Sequence, residues 1–273
     1  MSTIAPKREI KSHPLNVGFR WQMPEPMDLR ALTAEQYRQF DALGFVKLEN
    51  VFTPEEIAAV IAAIDPLEAK SEEYLRSQGG RISISEADVI TFTTHIVTKS
   101  DVLKRFAAHP KIQDICHDLI GGDVRLYWDQ SVYKKTGKAQ EFPWHQDNGY
   151  TFIEPQQYLT LWIPLVDVDA QNGCPWIAPG VHKGGTLEHW LTGIGLKCLE
   201  DAPDAVCVPG KAGDVIAFSS LAPHRTGPNL KSGSVRKAYI LQYAPDGAYT
   251  VRSGVKAMQD DAARQFLINE AGL

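Results

Sequence analysis

Cysteine is scarce in this chain. There are four, Cys116, Cys174, Cys198 and Cys207, and no two stand in a CxxC pair. That spacing gives neither a disulfide framework nor a zinc knuckle, and it points to reduced thiols in a cytoplasmic protein. Long hydrophobic runs are missing as well: none reaches the roughly 18 residues of a membrane helix. The N-terminal stretch MSTIAPKREIKSHPLNVGFRW lacks the apolar centre of a secretory signal. No charge of one sign dominates, since 28 Lys and Arg face 33 Asp and Glu. Without a basic stripe, nucleic acid is not an expected partner. Internal repeats and low-complexity segments are also absent. What the chain has is length and apolar content, 273 residues at 44% hydrophobic, which suffices for one large domain over 1–273.

Residues 1–30 are polar and dotted with proline and read as an extended arm. Helical periodicity follows Thr33, which with Gln36 makes a capping box, and Gly44 stops that helix. A second helix opens at Thr53-Pro54 with Glu56 closing its box. Residues 81–97 alternate weakly and suit a lid or an edge strand. The stretch DVLKRFAAHPKIQDICHDLIGG reads as a helix or a broken helix pair. From Val124 the character changes to short runs rich in β-branched and aromatic residues, separated by turns such as KTGK, AQNG and PGKAGD. This predicts an antiparallel β core over 124–247, a sandwich or barrel, with helices outside it. The final KAMQDDAARQFLINEAGL predicts a peripheral helix.

The β core contains PWHQDNGY. Alternate residues of a strand share a face, so His145 and Asp147 can offer an imidazole nitrogen and a carboxylate oxygen to one point. An HxD pair alone is weak evidence for a metal. His224, in AFSSLAPHRTGPN, supplies a third candidate at the end of an apolar strand. Two histidines and one carboxylate make the facial triad of non-heme Fe(II) oxygenases. Of the other histidines, His13 is in the arm, His182 is in a turn, and His95, His109, His117 and His189 have no carboxylate at a suggestive spacing.

WHQDNGY, LTLWIPLVDVDAQNGCPWIAPGVHK, GDVIAFSSLAPHRTGPN and SVRKAYI, taken in order, closely resemble the phytanoyl-CoA dioxygenase family over roughly residues 35–245. The resemblance implies a double-stranded β-helix, the jelly-roll or cupin-like core, and Fe(II), 2-oxoglutarate and O2 as cofactors. It implies His145, Asp147 and His224 as metal ligands. It implies Arg236, twelve residues after His224, as the cation for the distal carboxylate of 2-oxoglutarate, which a guanidinium fork suits bidentately. Thr226 matches a hydroxyl that helps hold that carboxylate, Trp162 a tryptophan of the co-substrate pocket, and Gln130 a position on a neighbouring strand. Lys134 and Lys135 both lie near a further position that can touch the co-substrate. The NGCPWIAPGVHKGG turn is structural, with His182 a motif residue rather than a ligand.

The chemistry so implied couples decarboxylation of 2-oxoglutarate to oxidation of a substrate. Halogenating relatives carry a small residue where this chain keeps Asp147, so hydroxylation, or desaturation, epoxidation or ring chemistry, is expected rather than halogenation. Asn148, Tyr150 and Phe152 are candidate pocket residues, and segments 75–97 and 185–205 can cover the mouth. No dense Lys/Arg cluster for CoA phosphates stands in the sequence, which favours a small metabolite as substrate. Two other readings use parts of the same pattern. A cupin-like metal enzyme without 2-oxoglutarate would keep the triad and not need Arg236, and a non-enzymatic jelly-roll binder would tolerate loss of a ligand.

Overall fold

The computed structural model describes residues 8–25 and 28–269. In chain order the elements are α1 (Ala34–Leu43), β1 (Phe45–Leu48), α2 (Pro54–Ser77), β2 (Arg81–Ile82), β3 (Ser85–Glu86), β4 (Ile90–Thr94), α3 (Asp101–Ala107), α4 (Pro110–Ile120), β5 (Val124–Lys134), β6 (Phe142–His145), β7 (Ile153–Glu154), β8 (Leu159–Pro164), β9 (Pro175–Ile177), β10 (Trp190–Thr192), β11 (Gly195–Lys197), β12 (Val206–Cys207), β13 (Val215–Ser219), β14 (His224–Thr226), β15 (Arg236–Pro245), β16 (Tyr249–Arg252) and β17 (Val255–Met258). An eight-stranded sheet runs β1-β13-β8-β15-β5-β4-β3-β2, and a four-stranded sheet runs β12-β9-β14-β6. Every pairing is antiparallel. This is the jelly-roll arrangement, with helices outside it.

Alternation along the central strands explains why they read as continuous apolar runs. Leu159, Leu161 and Ile163 of β8, Val215 and Ala217 of β13, and Tyr239, Leu241 and Tyr243 of β15 pack outward in one cluster with Val60, Ile64, Ile112 and Leu119 of the helices. Their neighbours Trp162, Ile216, Phe218 and Ala238 turn inward and meet Ile177 of the smaller sheet. Strands buried on both faces lose the polar half of the alternation. Each fully buried Leu or Ile contributes roughly 1.5–3 kcal/mol of transfer free energy.

Both expected capping boxes are present, at Thr33/Gln36 and Thr53/Glu56, and the broken helix pair is α3 and α4. Residues 81–97 supply β2 to β4, so the large sheet recruits strands from outside 124–247. The arm lies outside the described residues at 1–7, 26 and 27. Elsewhere it is strapped to the body: His13 N–H donates to the Thr186 carbonyl, and the Arg30, Ala31 and Leu32 amides donate to the buried Asp118 carboxylate. The expected C-terminal helix does not form. Val255–Met258 is strand β17, and turns follow it. Phe266 and Ile268 are buried two residues apart, and the chain there bonds to β5 through Leu126 N–H to Phe266 O and Ile268 N–H to Val124 O. A period of two, hidden among alanines and charges, overrides helix propensity here. Residues 270–273 of that expectation lie outside the described residues.

Candidate active site

β6 and β14 are paired so that His145 and His224 are direct register partners. Their ring centroids are 4.1 Å apart. The strand ends at His145, and Asp147 opens a single 3-10 turn, Asp147–Gly149, so the two do not share a strand as their spacing suggested. The i, i+2 relation survives because Gln146 is still extended, with φ −105° and ψ 143°. Asp147 Oδ1 stands 3.8 Å from His145 Nε2 and 3.8 Å from His224 Nε2. All three donor atoms lie within 4.8 Å of one another.

The tautomers are set by the backbone. His145 Nδ1 is 2.8 Å from the Pro143 carbonyl and His224 Nδ1 is 3.1 Å from the Ala222 carbonyl. Each Nδ1–H therefore donates, leaving Nε2 lone pairs directed at the common point. Burial pushes His145 down to about 3 and His224 down to about 4, which favours the neutral, ligating ring. Burial pushes the Asp147 carboxyl up, against opposing contributions from His145, Thr160 and Gln242. Thr160 Oγ1 donates to Asp147 Oδ2 at 2.5 Å and fixes the carboxylate's rotation.

Gln146 faces the other way and holds the turn. It is fully buried, it donates to the Gly185 and Leu221 carbonyls, and it accepts from Leu187 N–H. Its own N–H donates to His189 Nε2 at 2.9 Å. Gly149 lies over that imidazole so closely that a Cβ would sit 2.1 Å from His189 Cε1.

The triad opens onto a cavity of about 340 Å³ between the sheets. Arg236 lies in its wall, 1% exposed. Its Nη1 donates to the Val132 carbonyl at 3.1 Å, its Nε has no partner, and its guanidinium carbon is 5.4 Å from the Trp162 ring centre. Burial lowers its pKa to about 9. An unsatisfied buried guanidinium costs free energy and calls for an anion. Lys237 points the opposite way, to Asp65, and Arg225 turns out to Glu141.

The phytanoyl-CoA dioxygenase family model matches residues 40–238. The chain belongs to the phytanoyl-CoA dioxygenase family. That is a family of Fe(II)- and 2-oxoglutarate-dependent oxygenases, so the chain is a dioxygenase whose cofactors are Fe(II), 2-oxoglutarate and O2. It is 26% identical to the ectoine dioxygenase of Bordetella parapertussis over 73% of this chain and 71% of that one. It is 36% identical to the phytanoyl-CoA dioxygenase of Arabidopsis thaliana over 62% of each. Among solved structures, apo EctD from S. alaskensis superimposes with a TM-score of 0.68 at 21% identity, covering 96% of this chain and 97% of that chain. The epimerase SnoN, solved with Fe3+, alpha ketoglutarate and nogalamycin RO, gives 0.65 at 21% identity, covering 81% of this chain and 86% of that one. At those identities the likeness carries the fold.

Within this family member the remaining sequence-derived positions separate clearly. Thr226, Trp162 and Gln130 all line the cavity with Arg236. Lys134 turns inward and donates to Thr226 Oγ1 at 2.8 Å, whereas Lys135 turns outward to Glu68 and Glu72. Of the expected pocket residues only Tyr150 is in the wall. Asn148 is buried and bonded to Thr186 and Ile153, and Phe152 stacks on His13, because the turn after Asp147 breaks the alternation. His182 is buried against Trp21, with Nε2 3.1 Å from the Asp41 carbonyl, and is no part of the site. Sequence reasoning missed Thr160, Gln242, Tyr127 and Trp128. The first two were recoverable by alternation: Thr160 is two before Trp162, and Gln242 is six after Arg236, on the same faces. The mouth is flanked by hairpin β2–β3, which contributes Ile84, and by hairpin β10–β11, whose Leu196 N–H donates to Tyr150 Oη at 3.1 Å.

Proposed function

We propose that the chain hydroxylates a small-molecule metabolite, with His145, Asp147 and His224 as the iron ligands and Arg236, assisted by Thr226, as the seat of the co-substrate's distal carboxylate. The observation that carries this reading is that the donor cluster and an unsatisfied buried guanidinium face one cavity. The donor set fits Fe(II): two neutral imidazoles and one carboxylate on one side of a common point, with the other side open to the cavity. Bound there, iron and 2-oxoglutarate supply an oxidising centre that consumes O2 and releases succinate and CO2.

The chain's own residues orient and shield. The Pro143 and Ala222 carbonyls hold the imidazoles, and Thr160 holds the carboxylate. Trp162 covers the guanidinium. Lys134 donates to Thr226 Oγ1, which leaves the threonine hydrogen free for the co-substrate. Gln130 lies farther along the wall and accepts from Trp128 Nε1. The cavity is at the small end of the roughly 300–1,000 Å³ typical of ligand sites. Co-substrate and substrate share it, which supports a compact reacting group beside the metal.

The test is anaerobic addition of Fe(II) and 2-oxoglutarate to the protein, read by the weak visible charge-transfer band of the chelate. The band is expected in wild type and lost or weakened in His145→Ala and Arg236→Ala. A folded, Fe(II)-binding wild type without the band would refute the proposal.

A further inference from the structure

The far end of the cavity carries a second guanidinium. Arg252, at the end of β16, lines the wall at the solvent-facing mouth and is exposed. Its Nη2 donates to Thr151 Oγ1 at 2.8 Å. Arg236 and Arg252 are the two arginines of the wall among the described residues, and Arg236 lies deep while Arg252 is exposed. Arg252 has no carboxylate partner among the described residues. Among the described residues the only carboxylate in the wall is Asp147, which the reading above commits to the metal. The cavity therefore offers no anion to a cationic group, and one free fork at its mouth. The same wall is rich in aromatic side chains, with Tyr127, Trp128, Tyr150 and Tyr158.

We infer that the substrate is a small organic carboxylate with an apolar body, its anionic end held by Arg252 and Thr151 and its body laid along the aromatic wall toward the triad. Arg252 is a specificity-determining residue: it fixes which end of the substrate stays at the mouth and so which carbon faces the iron. A guanidinium can take a carboxylate through two parallel N–H donors, which gives direction as well as affinity. An amine of the same skeleton would meet a like charge there, and a neutral amide would forfeit the charge-assisted part of the bond. The inference rests on the proposed function, because it takes Asp147 and Arg236 as already engaged.

The experiment uses the full chain loaded with Fe(II) and 2-oxoglutarate and reads succinate formed above the substrate-free rate. The probes are aromatic and branched aliphatic carboxylic acids, each matched with its primary amide and its amine. Stimulation is expected from acids and not from their amides or amines. For a stimulating acid, Arg252→Ala raises KM by roughly 2- to 5-fold or more, the scale of a solvent-screened ion pair, with the loss on KM rather than kcat. Arg252→Glu abolishes the response. Equal stimulation by amides or amines, an unchanged KM in Arg252→Ala, or a panel in which no acid stimulates overturns the inference. A retained anaerobic chelate band in any of those cases leaves the proposed function standing, whereas its absence in wild type fails the proposed function itself.

Discussion

The donor atoms of His145, Asp147 and His224 lie within 4.8 Å of one another, and Arg236 lines the cavity they face. His145, Asp147, His224 and Arg236 stand out because imidazole, carboxylate and guanidinium are costly to bury without a task. Thr160 is an ordinary strand threonine until the fold brings its hydroxyl to Asp147 Oδ2. Thr160→Val keeps the shape and removes the donor. It is expected to weaken Fe(II) binding by roughly 10- to 100-fold, the usual cost of losing a bond that orients a ligand, as read by anaerobic metal titration. Asp129 makes the opposite kind of prediction. It is fully buried on the helix side of β5, accepts from Val97 N–H, and has an unpartnered Oδ1. Burial raises its carboxyl to about 6 from 3.8. With the folded value raised, the folded chain holds the proton more tightly than the unfolded one, so stability falls as pH rises from about 4 to about 6 and is level above that. The loss has a ceiling of about 3 kcal/mol. Asp129→Asn keeps the acceptor for Val97 and removes the charge. Urea unfolding at pH 5 and pH 7.5 should show the variant more stable than wild type at the higher pH, with the gap closing at the lower.

At the scale of elements, local rules located α1 and α2 because capping boxes are signals carried within four residues. They failed at 256–269, where pairing with β5 decides the outcome and no neighbour in sequence announces it. The PGVHK turn sits between these cases. Its prominence in the sequence is explained by Gly44, which ends α1 with φ +82° and lies so close to His182 that a Cβ would stand 2.5 Å from Nδ1. The imidazole thereby locks the α1–β1 joint, and with it the edge strand of the large sheet, to the loop after β9. Gly44→Ala incurs the left-handed penalty of roughly 1–2 kcal/mol plus displacement of a buried ring. The expected total is a loss of more than about 2 kcal/mol in chemical denaturation. His182→Ala is expected to lower stability while leaving Fe(II) affinity within about twofold, which separates a joint from a ligand.

At the scale of the whole molecule, the sandwich was legible from the many short strands and turns after Val124. FVKL reads as a short strand and 81–97 as a lid or edge strand, and the structure makes them β1 and β2–β4; that they add to the two ends of the core sheet is set by long-range pairing no local pattern announces. The same long-range pairing gives the interior its charge. Arg236 and Lys134 are register partners on β15 and β5, 1% and 2% exposed. Lys134 satisfies its donors on Thr226 and Gly227, while Arg236 keeps an unpartnered Nε. Burial, with Arg236 beside it, pushes Lys134 well below the usual lysine value, and burial lowers Arg236 as well, so charge here costs stability that a dianion entering the cavity relieves. Stability should therefore track 2-oxoglutarate. At about 100 times its Kd a ligand bound only by the folded state contributes about 2.7 kcal/mol. For a chain of this size that is a Tm rise of about 5 °C. Arg236→Gln removes the charge that needs the ligand, so its ligand-free Tm should equal or exceed wild type while its response to 2-oxoglutarate disappears. Differential scanning fluorimetry of both proteins with metal, with and without co-substrate, reads both halves. A variant that is less stable when free and still responds would mean that Arg236 holds the sandwich together rather than waiting for an anion.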